Sequence, residues 1–186
     1  PISSKTEKIL TKSLDEPISA EDANYLINIK GSDLYPLLAT ADYLRQEIAG
    51  DNVTFINNCN INFTNICTVR CGFCAFGKDA DDPEAYILDD EAILKKAQGA
   101  VDKGAHEFCV MGGVLPDADV EYYEHLLQLL KGEFPNIMIH GFSPTMIKDA
   151  SVVSGISVED AFERLKSAGL DTLPGTAAEI LTDRSR

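Results

Sequence analysis

Basic residues are scarce. Sixteen Lys and Arg face 30 Asp and Glu, for a formal net charge of -14. Phosphate backbones and anionic headgroups repel so acidic a chain, which argues against nucleic acid or a membrane surface as partner. Long apolar runs are missing too. No stretch approaches the roughly 20 apolar residues that span a bilayer, and no signal-peptide pattern opens the chain. A spread disulfide framework, of the kind that staples small secreted domains, is also lacking. Three of the five cysteines instead crowd into eight residues. Such local spacing favours metal over disulfide, and the chain is read as cytoplasmic. The rest is ordinary: 186 residues, 45% hydrophobic and 25% charged, suit one domain with a real core.

The crowded stretch is Cys67-Thr68-Val69-Arg70-Cys71-Gly72-Phe73-Cys74, spaced C-x3-C-x2-C. Three thiolates at this spacing can converge on one metal centre from a single loop. A closed iron–sulfur cluster takes four protein ligands, and so does a structural zinc site. No fourth ligand follows nearby. Zinc would need His106 or His140 to swing in. Thiols held only for packing are a further reading, since buried free Cys is common. Three ligands on a four-iron cluster would leave one iron open.

Residues 1–50 read as a helical segment. Ile9, Leu10 and Leu14 form a short stripe. Ser19 caps a helix with Ala23, Leu26 and Ile27 on its buried face. Asp33 to Ala49 carries Leu34, Leu37, Leu38, Ala41, Leu44 and Ile48 at helical spacing. Residues 51–186 alternate strand and helix. Val53 to Phe63 reads as a strand, with Cys59, Ile61 and Phe63 on one face and Asn58, Asn60 and Asn62 on the other. That second face is either a wet sheet surface or the polar lumen of a barrel. The cysteine loop follows this strand, and an acidic, mobile stretch runs from Asp79 to Glu84. Further strands are expected at Phe108–Met111, Ile137–His140 and Asp171–Leu173. Helices lie between them, one opened by a capping box at Ser157–Asp160. Gly112-Gly113 after the second strand is a turn or a place where backbone approaches a ligand. Cys59 and Cys109 read as buried strand thiols, His106 and His125 as surface residues.

This order predicts an α/β fold with a parallel, barrel-curved sheet. About four strand–helix units are present, against roughly 250 residues for a complete barrel. The chain is therefore read as the N-terminal part of a TIM-type (β/α) barrel, with the C-terminal half-barrel absent.

The cysteine spacing, with an aromatic before the last Cys, resembles the radical S-adenosylmethionine (SAM) enzymes. That resemblance implies a [4Fe-4S] cluster on Cys67, Cys71 and Cys74. Its open iron holds SAM, and one electron splits the sulfonium to a 5′-deoxyadenosyl radical. Other stretches are similar to one branch, the CofH-type subunit of FO synthase. They are Asn60–Cys67, Cys71–Phe76, Glu84–Leu88, His140–Pro144 and Leu173–Leu181. This closer resemblance implies a transferase that joins the 4-hydroxybenzyl group of L-tyrosine to 5-amino-6-(D-ribitylamino)uracil, toward the 5-deazaflavin FO. A reductant such as ferredoxin or flavodoxin and a CofG-type subunit are its implied partners.

In that family Phe73 would lie near the SAM adenine, and Gly112 and Gly113 would meet the SAM amino group. Ser143 and Glu179 would bind SAM ribose or substrate. Asn60, Asn62, Tyr86 and His140 would face substrate. Each has a plainer reading: Phe73 packing, Glu179 capping a helix, His140 as structure. No residue beyond the cluster ligands is assigned to catalysis. The menaquinone-pathway relatives, aminofutalosine synthase and cyclic dehypoxanthine futalosine synthase, share most of these motifs. Their fourth loop tends to read Pro-Gly-Gly-Gly-Ala-Glu, against Pro174-Gly175-Thr176-Ala177-Ala178-Glu179 here. An inactive cluster-binding paralogue and a plain metal-binding module are the remaining readings. The chain departs from the family at Met146, usually Glu, at Gly141, where Ala is common, and in the acidic stretch after Phe76.

Overall fold

The computed structural model describes residues 2–69, 71–72 and 74–175. The chain divides into two compact units, Pro1–Phe55 and Ile56–Arg186.

The first unit is helical: α1 (Ser4–Ser13), α2 (Ala20–Leu26) and α3 (Leu34–Ala49), with a 3-10 turn at Gly31–Asp33. Ser3 and Ser19 cap α1 and α2 by accepting the Thr6 and Asp22 N–H groups. The Asp33 carboxylate accepts from the Ser3 N–H at 2.9 Å and the Thr6 hydroxyl at 2.7 Å, tying α1 to the start of α3. Ile9, Leu10 and Leu26 form a small core. The expected stripes are buried only in part. Leu14, Ile27, Leu34, Leu38 and Ile48 are exposed, and α3 buries no residue fully. Helical spacing shows that a face is apolar, not that something covers it.

The second unit carries β1 (Asn58–Asn62), α4 (Asp90–Val101), β2 (Glu107–Met111), α5 (Val120–Glu133), β3 (Met138–Gly141), α6 (Pro144–Ser154) and α7 (Val158–Ala168). The three strands pair in parallel in the order β1-β2-β3, with Asn58 opposite Glu107 and Glu107 opposite Met138. The expected strand from Val53 is shorter than its apolar run. β2 begins at Glu107, so the ladder does not reach residues 53–56, Asn57 keeps one backbone bond by accepting the His106 N–H at 2.8 Å, and Val53, Phe55 and Ile56 are exposed. The expected fourth strand reduces to one bridge, Thr172 beside His140. Pro174, two residues on, has no N–H to extend it.

Alternation sorts the sheet into two faces. Ile61, Phe63, Phe108, Val110 and Ile139 are at most 1% exposed and form the core with α4, α5 and α6. The Tyr123, Leu126, Leu127 and Leu130 face of α5 is buried as its spacing predicts. Among the described residues no helix is long and apolar enough to cross a membrane. The capping box expected at Ser157 is half formed: its hydroxyl accepts the Asp160 N–H, while the Asp160 carboxylate accepts from that hydroxyl.

Asp171 joins β3 to the segment after α7. Its carboxylate accepts from the Ile139 N–H at 2.7 Å and from Lys131 Nζ at 2.8 Å. Burial raises its pKa, but these two donors outweigh it and the net shift is downward. A depressed carboxylate adds stability above its unfolded pKa, near 4, and loses it as pH falls through the folded value. Asp171→Asn should therefore cost about 1 kcal/mol at neutral pH, discounted for partial exposure. Urea midpoints of mutant and wild type should converge below about pH 4; a gap of constant size down to pH 3 contradicts this.

Candidate active site

The cysteine loop leaves the carboxyl end of β1 and is laced shut at its base. Thr64 Oγ1 donates to the Tyr86 carbonyl at 2.7 Å and accepts the Ile66 N–H at 3.1 Å. The Asn65 side chain accepts the Tyr86 N–H at 2.8 Å and donates to the Glu84 carbonyl at 2.9 Å. The Cys67 N–H reaches the Lys78 carbonyl at 3.1 Å, and the Lys78 N–H reaches the Asn65 carbonyl at 2.8 Å. Thr64 and Asn65 are buried. The acidic stretch expected to be mobile is tied in as well. Lys78 pairs with Asp82 and Glu84, and the Asp82 carboxylate accepts the Glu84 N–H at 2.8 Å.

The loop after β2 braces the other side. The Gly113 N–H reaches the Thr64 carbonyl at 3.0 Å, and the Thr68 N–H reaches the Val114 carbonyl at 3.0 Å. A Cβ on Gly113 would stand 2.1 Å from the Ile66 carbonyl oxygen and 2.8 Å from Cys67 Cβ. A Cβ on Gly112 would stand 2.8 Å from the Phe63 ring. Both glycines thus have a packing role, which seats the root of the cysteine loop. Any contact they make with a cofactor would come from their backbone.

All five cysteines are free; Cys67 is half-buried, and Cys71 and Cys74 are exposed. The Cys74 N–H closes a turn on the Cys71 carbonyl at 3.0 Å. Among the described residues no three His, Cys, Asp or Glu side chains are gathered for a single metal ion. A cluster presents separate irons at its corners, so its thiolates stand farther apart than the ligands of one ion. The donor set fits such a cluster: one thiol anchored in packed structure and two in an exposed turn, all unpaired. His106 does not complete a zinc site, because it precedes β2. The five residues of β2 lie between it and Gly112, six steps of strand or about 20 Å. Phe73 and Glu179 lie outside the described residues.

Ser143 opens α6 at the carboxyl end of β3, and its hydroxyl accepts the Met146 N–H at 3.2 Å. Met146 returns the contact: its Sδ accepts the Ser143 N–H at 3.4 Å, completing a capping box with sulfur in the carboxylate's place. The preceding Phe142 has φ 60, the only positive φ at a non-glycine among the described residues. A bulky side chain there is strained by about 1–3 kcal/mol. The Phe142 N–H bond to the Val110 carbonyl at 2.9 Å holds it, as does its ring at 4.7 Å from Tyr123. Nothing in the sequence signals this conformation. Tyr86 Oη donates to the Asn62 carbonyl at 3.3 Å, and burial pushes its pKa up. His140 Nδ1 lies 2.7 Å from Thr172 Oγ1. Asn60 and His140 stand on the sheet face opposite the core, Asn60 exposed and His140 half-buried.

The family model of the Radical SAM superfamily matches residues 61–180. The chain belongs to the radical SAM superfamily. Membership implies an iron–sulfur cluster and SAM as cofactors in general. Among relatives of this radical SAM chain is a protein of Methanothermobacter thermautotrophicus, 48% identical over 100% of the chain and 50% of that protein. It is named 5-amino-6-(D-ribitylamino)uracil–L-tyrosine 4-hydroxyphenyl transferase. Proteins of the same name from Methanopyrus kandleri and Nostoc sp. are 46% and 42% identical, over 83% and 93% of the chain and 42% and 46% of their own lengths. The radical SAM chain thus spans about half the length of the curated relatives it matches. Among solved structures, HydG, a maturase of the [FeFe]-hydrogenase, superposes with TM-score 0.63 at 17% identity, over 94% of this chain and 47% of its own. The HydG of Carboxydothermus hydrogenoformans gives TM-score 0.63 over 92% of the chain and 47% of its own. These two likenesses bear on the fold, which is α/β with a parallel sheet and barrel-like curvature.

Proposed function

We propose that this chain carries the cluster-binding half of a transferase that joins the 4-hydroxybenzyl group of L-tyrosine to 5-amino-6-(D-ribitylamino)uracil. The observation that carries the reading is the three-cysteine loop, laced at the carboxyl ends of parallel strands, in a chain 48% identical to a protein named for that reaction. Cys67, Cys71 and Cys74 would hold a [4Fe-4S] cluster. When bound, the cluster and SAM supply the radical that starts the reaction. Ser143, Gly112 and Gly113 line the cofactor side, with Phe73 and Glu179 added on the family pattern. Asn60, Asn62, Tyr86 and His140 serve substrate. Ferredoxin or flavodoxin would supply the electron, and a CofG-type subunit would take the product onward, in the cytoplasm.

Anaerobic reconstitution with iron and sulfide tests this reading. The expected result is four irons per chain and 5′-deoxyadenosine release that requires SAM and a reductant. With both substrates present, a product of the mass of the coupled benzyl–uracil species should form. Bound zinc, or an iron centre whose spectrum ignores SAM, would overturn the proposal. Turnover of an enolpyruvyl substrate in place of tyrosine would move the chain to the menaquinone branch.

A further inference from the structure

Four residues share one register line across the sheet: Asn60 on β1, Cys109 on β2, His140 on β3 and Thr172 at the final bridge. Residues level in a parallel sheet point to the same face. The row spans three strand gaps, about 14 Å. The other face of these strands is closed by Ile61, Phe108, Val110 and Ile139. This face is open: Asn60 and Thr172 are exposed, Cys109 and His140 half-buried. The Cys59 thiol points at the Asn60 backbone carbonyl at 3.7 Å, which leaves the Asn60 side-chain amide for a ligand. His140 is fixed through Nδ1 to Thr172 Oγ1, which leaves Nε2 as the free ring nitrogen.

The row carries no fixed charge: an amide, a thiol, an imidazole and a hydroxyl. Burial, and next the Glu107 carboxylate, push the Cys109 thiol up and keep it protonated. No Lys or Arg occurs on β1, β2 or β3. The only carboxylate on these strands is Glu107, one layer below the row, 5% exposed and 3.4 Å from Asn58 Nδ2. A carboxylate or phosphate would find no cation here and one anion close by. A polyhydroxylated neutral chain would find donors and acceptors along its length. Of the two substrates proposed above, L-tyrosine carries a carboxylate, and the ribitylaminouracil is a neutral polyol on a pyrimidine.

We infer that the row Asn60–Cys109–His140–Thr172 is the subsite for the ribityl chain and pyrimidine of the uracil substrate. Cys109 and Thr172 are specificity-determining contacts, and the amino acid is held elsewhere. This inference rests on the proposed transferase reading and deepens it.

Cys109 is its own reporter. In the reconstituted chain, N-ethylmaleimide labelling is followed thiol by thiol through peptide mapping. Cys59, on the opposite face of β1, is the control. At ten times its dissociation constant, 5-amino-6-(D-ribitylamino)uracil should slow Cys109 labelling about tenfold and leave Cys59 unchanged. L-tyrosine at equivalent saturation should protect neither. Thr172→Val should weaken ribitylaminouracil binding about tenfold by calorimetry, with tyrosine affinity unchanged. Ribitylaminouracil that binds without shielding Cys109, or tyrosine that shields it, overturns the inference and leaves the transferase reading standing. Absence of any ribitylaminouracil binding overturns both.

Discussion

Gly113→Ala is expected to abolish iron incorporation and to lower stability by about 3 kcal/mol or more. The added methyl would lie 2.1 Å from the Ile66 carbonyl oxygen and 2.8 Å from Cys67 Cβ. The first neighbour is backbone, and the two residues after it are held by the bonds of Cys67 N–H to Lys78 and Thr68 N–H to Val114, so it cannot step aside cheaply. The whole root of the cysteine loop would have to shift. Gly112→Ala should cost less, about 1–3 kcal/mol, because its 2.8 Å neighbour is the Phe63 ring. Gly99→Ala, inside α4 with nothing within 4 Å, should instead stabilise by about 0.5–1 kcal/mol. Urea unfolding and iron per chain after reconstitution measure all three. Wild-type iron content in Gly113→Ala would show that the loop root is not what seats the thiols.

Each of Cys67→Ala, Cys71→Ala and Cys74→Ala is expected to reduce SAM-dependent 5′-deoxyadenosine release to background. The metal-free proteins should differ. Cys71 and Cys74 are exposed, so their variants should match the parent in stability to within about 0.5 kcal/mol. Cys67 is half-buried and packs against the core and beneath Gly113, so its variant should lose about 1 kcal/mol before any metal is added. Thermal melts of the metal-free variants separate the two roles. Equal losses at all three positions would place Cys67 in the outer turn with its neighbours, against the packing described.

The strands, their parallel order and the site's position at their carboxyl ends were legible because each rests on local pattern. The alternation from Asn58 to Phe63, Gly112-Gly113 after β2 and the cap at Ser157 all act within a few residues. What was not legible depends on distant partners. Val53–Ile56 has the composition of a strand, but β2 begins too late to pair with it, and only Asn57 is tied in, through the His106 N–H and the Lys103 and Gly104 carbonyls. Leu34, Leu38 and Ile48 have the spacing of a buried face, yet are exposed. Thr64 and Asn65 follow the expected strand and carry no local pattern of their own. Their function appears only when residues 84–87 return beside them. Cys109 reads as a buried thiol because it sits in a strand, whereas the register puts it level with Asn60 and His140. Met146 departs from the family's Glu, but its sulfur accepts the Ser143 N–H that a capping-box carboxylate would accept.

Asn65 bonds to both Glu84 and Tyr86, so its side chain closes a ring of about 20 residues around all three thiols. Joining the ends of a free segment that long costs about 2.7 kcal/mol in chain entropy. Folding has already met that cost, so an arriving cluster need not draw it from the energy of its iron–sulfur bonds. Its affinity is set by how far Cys71 and Cys74 must turn, and severing the knot at Asn65 would weaken metal retention without touching a single ligand.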